Sequence, residues 1–198
     1  MKTKDYDRRY FDRWYRGRNL QDKAALGRKI ALAVAMAEHY LGRPIRSVLD
    51  VGCGEAAWRA PLLKLRPKLH YQGVDSSEYA VATFGRRRNI AFASFGQLGE
   101  LRFGAPVDLL VCSDVLHYVP TPELRRGLSG FSELCGGVAF IEAFAAEDDI
   151  EGDLKGFFRR RASSYRKMIG DAGFVACGSQ AWLSPTLAGD ASALEVLR

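Results

Sequence analysis

The stretch that decides the fold is VLDVGCGEAAW, from Val48 to Trp58, in which an apolar run leads directly into a glycine turn. Gly52 and Gly54 lack a Cβ atom, so the backbone can turn tightly there and approach a ligand closely. The helix expected next offers free backbone amides at its N-terminus. Gly52, Gly54 and Ala57 also satisfy the dinucleotide-binding pattern G-x-G-x-x-G/A, with Asp75 following at about the ribose spacing. The glycines alone leave a dinucleotide and another nucleoside ligand open.

Short apolar runs alternate with helical stretches along the chain. Runs such as SVLDVG, HYQGVD and VDLLVCS are rich in Val and Leu, as expected for parallel strands that are buried on both faces. The chain ends in FVACGSQAWL and ASALEVLR, and the loop between them has no room for a helix, which predicts antiparallel neighbours. We therefore predict an α/β fold, a single Rossmann-like doubly wound domain. Its sheet should have seven strands, mostly parallel with an antiparallel last strand, and helices on both faces.

Composition and cysteine usage exclude several classes of protein. The 198 residues are 47% apolar and 26% charged, which is typical of one soluble globular domain. The polar N-terminus does not match a secretory signal, and no apolar run approaches the roughly 18 residues of a membrane span, so a cytoplasmic protein is expected. The four cysteines form no CxxC pair, so we expect neither a disulfide framework nor a metal site.

Two acidic residues narrow the choice of ligand. Asp50, near the end of the first strand, would repel a pyrophosphate and attract a cation. Asp75 can accept hydrogen bonds from both ribose hydroxyls. The site therefore favours a ligand with a ribose and a positive charge but no phosphate. With its glycine motif LDVGCG and an acidic residue ending the second strand, the chain resembles the class I S-adenosylmethionine-dependent methyltransferases. The resemblance implies a methyltransferase that uses S-adenosylmethionine, which carries a sulfonium, an ammonium and an adenosine.

The resemblance also implies a set of cofactor contacts at the strand ends. The glycine motif would line the methionine part, Asp75 would hold the ribose, and Ser94 and Phe95 would meet the adenine. Many members have an aspartate where this chain has Ser94, and Ala56 replaces the third glycine of the motif. The predicted cofactor-binding residues are Asp50, Gly52, Cys53, Gly54, Trp58, Asp75, Ser76, Ser94, Phe95 and Ser113. The position of Trp58 is compatible with packing in the hydrophobic core and equally with forming part of the wall of the cofactor site.

The loop SDVLHY supplies the candidate catalytic residues. Methyl transfer is an in-line displacement, so the enzyme must align the acceptor with the sulfonium and remove a proton if the acceptor carries one. Asp114 and His117, three residues apart, could do this from one face of a turn. The alternative is that Asp114 caps the turn and His117 packs against the cofactor. Glu142, which ends the fifth strand, fits a substrate contact or a solvated rim residue.

All of the net charge of +6 lies near the N-terminus, because residues 2–29 hold ten Lys and Arg against four Asp, while 19 basic and 19 acidic residues follow. Within this region YDRRYFDRWYRGR interleaves aromatic residues with arginines. We predict that residues 1–19 form an arm that closes over the cofactor as a lid, and that residues 20–198 form the methyltransferase domain. The alternatives for the arm are a single-stranded RNA platform and a structural arm packed on the sheet.

Four functions are compatible with the sequence. The first is methyl transfer to a small molecule, which is expected to be acidic if the arm and the arginine triplets at 86–88 and 159–161 converge. The second is methyl transfer to RNA or another macromolecule. The third is a nicotinamide-binding oxidoreductase, which Asp50 disfavours, and the fourth is a cofactor-binding module without catalysis. No membrane partner is expected.

Overall fold

The computed structural model of the chain describes residues 7–12, 23–150 and 153–196. The strands are β1 Ser47–Val51, β2 His70–Asp75, β3 Ile90–Phe92, β4 Val107–Ser113, β5 Cys135–Glu142, β6 Val175–Gly178 and β7 Ala181–Leu183. The helices are α1 Arg8–Phe11, α2 Lys23–Leu41, α3 Arg59–Leu65, α4 Glu78–Arg88, α5 Thr121–Ser129, α6 Phe131–Leu134, α7 Ala162–Asp171 and α8 Pro185–Ala188. Two 3-10 turns cover Phe95–Gly99 and Leu116–Tyr118. Over these ranges, no helix combines the length and the apolar character that a membrane crossing needs.

The strands form one seven-stranded sheet in the order β3-β2-β1-β4-β5-β7-β6. The first five strands along the chain run parallel, whereas β7 runs antiparallel to both β5 and β6. The order reverses between the adjacent strands β1 and β4, and ligands of doubly wound sheets bind beyond the carboxyl ends of the strands at such a point. This topology confirms the predicted fold class.

Helices cover both faces of the sheet, which explains why its central strands read as continuous apolar runs. Neighbouring residues of β1 point to opposite faces: Val48 belongs to a core cluster with Ile30 of α2 and Leu62 of α3. Leu49 belongs to a second cluster that contains Leu124 of α5 and residues of α7. Both strand residues are buried, so β1 and the turn that follows it are held rigidly from two sides.

The C-terminal end of the sheet differs from the sequence prediction. The run FVACGSQAWL, expected as one strand, folds into the hairpin of β6 and β7, because Gly178, Ser179 and Gln180 all have positive φ and reverse the chain. The run ASALEVLR, expected as the last strand, contains no strand over its described residues 191–196. The preceding loop forms the short helix α8, which begins at Pro185. The sheet has an antiparallel strand near its C-terminal end, as predicted, but the predicted pairing of FVACGSQAWL with ASALEVLR is wrong, because β7 pairs with β5 and β6 instead.

Candidate active site

The turn between β1 and α3 is built from residues with positive φ. Gly52, Gly54 and Ala56 have φ of 67°, 53° and 56°. A Cβ atom at Gly52 would collide with the side chain of Val115, which arrives from the turn after β4. The Gly52 N–H donates a hydrogen bond of 2.8 Å to the carbonyl of Val74 in β2. Glycine is therefore required at Gly52 by close approach as well as by φ.

A cavity of about 1130 Å³ opens at the carboxyl ends of the parallel strands, next to this turn. All ten residues that the sequence predicts as cofactor contacts line it: Asp50, Gly52, Cys53, Gly54, Trp58, Asp75, Ser76, Ser94, Phe95 and Ser113. Of the two predicted catalytic residues, Asp114 lines the cavity and His117 does not. The strand ends thus bring together residues that lie more than 60 positions apart in the sequence.

Asp50 is a buried carboxylate, only 3% exposed. The hydroxyl of Tyr71 donates a hydrogen bond of 2.7 Å to its Oδ2 atom. Burial, assisted by the charge of Asp75, raises the pKa of Asp50 to about 7, against the opposing effect of the Tyr71 hydrogen bond. No cationic side chain pairs with Asp50 in the ranges that the structure describes. The ionised form of Asp50 would therefore be stabilised by a ligand that brings a positive charge.

Asp75 ends β2 and organises the backbone around it. Its Oδ2 accepts the N–H of Gly54 and its Oδ1 accepts the N–H of Ser77, both at 2.7 Å. Ser77 in turn caps α4 by accepting the N–H of Ala80 at 3.1 Å. Burial raises the pKa of Asp75, and the backbone hydrogen bonds oppose that shift. Because each carboxylate oxygen has accepted one N–H, each retains a lone pair for a further donor.

The part of the cavity after β3 contains residues that the sequence did not predict as cofactor contacts. Phe95 lines the cavity but is mostly buried against Phe131, with ring centroids 5.7 Å apart. Phe92, by contrast, is 52% exposed and lines the same cavity, and so does Glu123, which accepts the N–H of Gly96 at 3.3 Å. Glu78 and Tyr79 from the start of α4 also line it. Phe92 ends β3, and this position in the sequence could have identified it as a cavity residue. Glu123 comes from α5.

The two predicted catalytic residues lie in different surroundings. Asp114 has φ of 64° and a side chain that is 63% exposed. His117 is fully buried, and its ring stacks on Phe157 at 4.8 Å between centroids. Its Nδ1 accepts the N–H of Phe144 at 3.3 Å, so in the neutral ring the proton is on Nε2. That Nε2 lies 3.1 Å from Oδ1 of Asp114, yet forms no hydrogen bond because the direction of the N–H is unfavourable.

Glu142 is part of a polar network at the end of β5. Lys29 of α2 donates to both of its carboxylate oxygens, at 2.7 and 2.6 Å, and the Ser113 hydroxyl donates to Oε2. The backbone carbonyl of Glu142 accepts the N–H of Asp114 at 3.0 Å. Glu142 thus links α2 to the loop that carries Asp114, and its own side chain does not line the cavity.

The described start of the N-terminal arm lies at the cavity. Asp7 caps α1 by accepting the N–H of Tyr10 at 3.0 Å, and both residues line the cavity. Burial and the nearby charges of Asp153, Asp114 and Asp75 raise the pKa of Tyr10 well above its usual range, so its hydroxyl stays protonated. The rest of the predicted lid, residues 1–6 and 13–19, lies outside the described residues.

A second segment covers the cavity from the connection before α7. Gly156 and Phe158 line it, and the N–H of Phe158 donates 2.7 Å to the carbonyl of His117. Arg160 fixes this segment to the loop after β4, donating to the carbonyls of Leu116 at 3.1 Å and Val119 at 2.6 Å. Arg160, one residue of the arginine triplet 159–161, therefore connects two segments that line the cavity.

Comparison with known proteins indicates which family has this arrangement of residues. A family model described as a methyltransferase domain matches residues 49–137, which run from β1 to the start of β5 and include the glycine turn and Asp75. Residues 49–137 of the chain therefore belong to a methyltransferase domain. S-adenosylmethionine, the cofactor that the sequence predicts, is bound in a solved structure of magnesium protoporphyrin IX methyltransferase from Synechocystis, which is 24% identical to this chain. The comparison with curated proteins gave no significant match.

Solved structures share the fold of this methyltransferase over most of its length. A sugar N-methyltransferase from a Streptoalloteichus species is 18% identical with a TM-score of 0.66, and the match covers 87% of this chain and 92% of that one. Magnesium protoporphyrin IX methyltransferase from Synechocystis, with bound S-adenosylhomocysteine, is 22% identical with a TM-score of 0.61, over 86% and 87% of the two chains. An S-adenosylmethionine-dependent methyltransferase from Archaeoglobus fulgidus is 14% identical with a TM-score of 0.63, over 86% and 75%.

Among its described residues, the methyltransferase has no group of three or more His, Cys, Asp or Glu side chains that could hold a metal ion. Its four cysteines are unpaired, and three of them are buried. One of these, Cys53, lies in the glycine turn and lines the cavity. Burial and the charges of Asp50 and Asp75 raise the pKa of the Cys53 thiol, so it remains protonated and acts there as a small apolar surface.

Proposed function

We propose that this methyltransferase transfers a methyl group to a small molecule that is held beside the cofactor in the cavity at the carboxyl ends of β1, β2 and β4. The observation that carries the proposal is the size of that cavity. Its volume of about 1130 Å³ exceeds the roughly 300 to 1,000 Å³ of a site for one drug-sized ligand. It can therefore hold the cofactor and a compact acceptor together.

The residues of the cavity fit the cofactor at both of its ends. Asp50 is a buried carboxylate without a cationic partner in the described residues, and the ligand supplies positive charge. Gly52 leaves space where a side chain would collide with Val115, so the ligand can lie against the backbone. Asp75 keeps one lone pair on each carboxylate oxygen for two ribose hydroxyls, and Ser76 lies beside it. We assign Asp50, Gly52, Cys53 and Gly54 to the methionine part and Ser94 and Phe95 to the adenine.

The chemistry that the bound cofactor supplies is a methyl group on a positively charged sulfur. The protein aligns an acceptor with that group and excludes water from the reaction. Tyr10 of α1 and Phe158 line the cavity from two separate segments, in keeping with a cover over the reacting centre. We propose that the N-terminal arm extends this cover, so that the predicted lid closes over both ligands.

The relatives of known fold favour a small acceptor. Among them are an enzyme named for a sugar N-methyl transfer and one named for magnesium protoporphyrin IX, both small molecules. A macromolecular acceptor is the alternative, and it depends on the basic arm alone, since the rest of the sequence has no net positive charge. The two alternatives differ in the size of the methylated product.

This difference can be measured with S-adenosylmethionine that is labelled on its methyl group. The enzyme is incubated with a cell extract that has been divided into a low-molecular-mass fraction and a macromolecular fraction. We expect label to enter the low-mass fraction, and to be lost with Asp75→Ala, while Asp171→Asn, an exposed surface change on α7, serves as the matched control. Label that enters only the macromolecular fraction would overturn the small-molecule proposal.

A further inference from the structure

The described lining of the cavity is strongly acidic. It contains six carboxylate side chains, namely Asp7, Asp50, Asp75, Glu78, Asp114 and Glu123, and no Lys, Arg or His. Such a surface attracts cations and repels anions. The charge of the lining therefore does not favour the acidic acceptor that the arginine triplets suggested, since no arginine of either triplet lines the cavity.

Only some of these carboxylates are assigned to the cofactor. Asp50 and Asp75 stand at the ends of β1 and β2, beside the glycine turn, and are assigned to the cofactor. Glu123 is fixed to the turn after β3 through the N–H of Gly96. Asp114 stands after β4, and its charge acts on Tyr10 of the covering helix α1. Asp114 is thus a carboxylate that the proposed cofactor contacts do not use.

Asp114 lines the cavity, and its backbone and side chain lie close to Glu142 and His117. Its backbone is tied to β5 through the N–H bond to the carbonyl of Glu142. Nε2 of His117 is buried, has no hydrogen-bond partner among the described residues, and lies 3.1 Å from Oδ1 of Asp114. The Phe144 N–H and the stacking on Phe157 hold the imidazole in this orientation. The two atoms are within bonding distance, so a movement of the Asp114 side chain that brings Oδ1 into line with the Nε2–H would complete this hydrogen bond.

The wall of the cavity that Asp114 lines also contains aromatic residues. Tyr10, Tyr118 and Phe158 line the same cavity. A carboxylate and aromatic side chains in the wall of one cavity can together bind an alkylammonium group, through an ion pair and cation–π contacts. An alcohol or a carboxylic acid would gain less there, and the acid would be repelled by the lining.

On this basis, which rests on the proposed methyltransferase function, we propose that the acceptor is a small primary or secondary amine that Asp114 binds as its ammonium form. The ammonium transfers a proton to the Asp114 carboxylate, which His117 positions through its Nε2–H. The nitrogen lone pair then forms the new bond to the methyl carbon as the bond from that carbon to sulfur breaks and its electron pair stays on the sulfur. The product is an N-methylammonium, and Asp114 returns its proton to solvent through its exposed side.

The proposal can be tested by binding, without knowledge of the natural acceptor. The probes are matched sets of aromatic fragments that differ only in an aminomethyl, hydroxymethyl or carboxyl group, such as benzylamine, benzyl alcohol and benzoate. Binding is measured by ligand-observed NMR on protein saturated with S-adenosylhomocysteine, whose own binding is checked first by calorimetry. We expect the amines to bind at least tenfold more tightly than their alcohol and acid partners.

Two variants locate the binding. Asp114→Asn keeps the size of the side chain, and asparagine tolerates positive φ, so the fold is expected to persist and amine affinity to fall at least tenfold. Asp171→Asn removes a carboxylate from an exposed ion pair on α7 and should leave amine affinity unchanged. Equal binding of the three classes, including none by any of them at millimolar concentration, overturns the amine proposal, as does unchanged amine affinity in Asp114→Asn. If S-adenosylhomocysteine itself fails to bind, the proposed function fails first, so the two failures are distinguishable.

Discussion

The hydroxyl of Tyr71 in β2 donates a hydrogen bond of 2.7 Å to the carboxylate of Asp50 in the adjacent strand β1. Burial beside Asp50 also raises the pKa of Tyr71 well above its usual range, so the hydroxyl remains a donor. This one neutral donor does not offset the burial of Asp50, whose pKa is raised to about 7. The end of β1 therefore holds a carboxylate whose ionised form is stabilised when a cation binds. The raised pKa of Asp50 has measurable consequences.

The first consequence is a pH-dependent stability of the ligand-free protein. The pKa of an aspartate in an unfolded chain is near 3.9, whereas burial raises the pKa of folded Asp50 to about 7. Between these pH values the folded state therefore holds a proton that the unfolded state has lost. The free energy of unfolding should therefore fall as pH rises from about 4 to 7, by roughly 4 kcal/mol at most. Asp50→Asn should remove this contribution. Urea unfolding of both proteins across the pH range measures it, and identical pH profiles would contradict the raised pKa.

Asp75→Ala should weaken cofactor binding. The change removes the proposed ribose contacts, each charge-assisted hydrogen bond being worth roughly 1.5 to 3 kcal/mol. It also removes the acceptor of the Gly54 and Ser77 N–H groups, so a lower melting temperature should accompany a dissociation constant that rises at least tenfold. Calorimetric titration of folded protein gives the result, with Asp171→Asn as the matched surface control. An unchanged dissociation constant in a folded variant would mean that the ribose lies elsewhere.

The sequence predicted those parts of the molecule that local patterns determine. The buried strand, the glycine turn and Asp75 lie within 28 residues of one another, and their spacing alone indicated a common strand-end site. The burial of His117 was not predictable in this way, because it depends on Phe157 folding back over the loop after β4. The same holds for the contact of Lys29 with Glu142, which joins residues 113 positions apart. The β6–β7 hairpin was missed because positive φ at Ser179 and Gln180 is not expected for those residue types.

Asp114 and His117 should act as one unit in methyl transfer. Asp114→Asn should lower turnover by about a hundredfold or more, as for the removal of a general base, with little change in cofactor affinity. His117→Phe keeps an aromatic ring among Tyr118, Phe144 and Phe157 and removes the Nε2–H, so it should also lower turnover. The rate of label incorporation into the low-mass fraction measures both.

A double-mutant cycle separates the roles of the two residues. If His117 acts by positioning Asp114, the double variant should be no slower than Asp114→Asn alone, whereas independent roles would give additive losses. His117→Ala is less informative because it opens a cavity beneath three aromatic rings and should cost roughly 2 to 4 kcal/mol of stability. Full turnover in both single variants would leave the loop without a catalytic part and direct attention to the N-terminal arm.

RNA binding should be weak and sensitive to salt. The excess of basic residues lies in residues 2–29, while the remaining sequence is balanced, so few phosphate contacts are available. Filter binding with a structured RNA should therefore show an affinity that disappears when the salt concentration is raised modestly. Tight binding that persists in salt would instead favour a nucleic acid as the methyl acceptor.

We propose that the cavity beside Asp50 binds S-adenosylmethionine and not a dinucleotide. Calorimetric titration of the protein with S-adenosylhomocysteine and, separately, with NAD tests it most directly. We expect S-adenosylhomocysteine to bind at a single site and NAD to give no heat of binding, because Asp50 repels a pyrophosphate at the glycine turn. Binding of NAD without any response to S-adenosylhomocysteine would contradict the account.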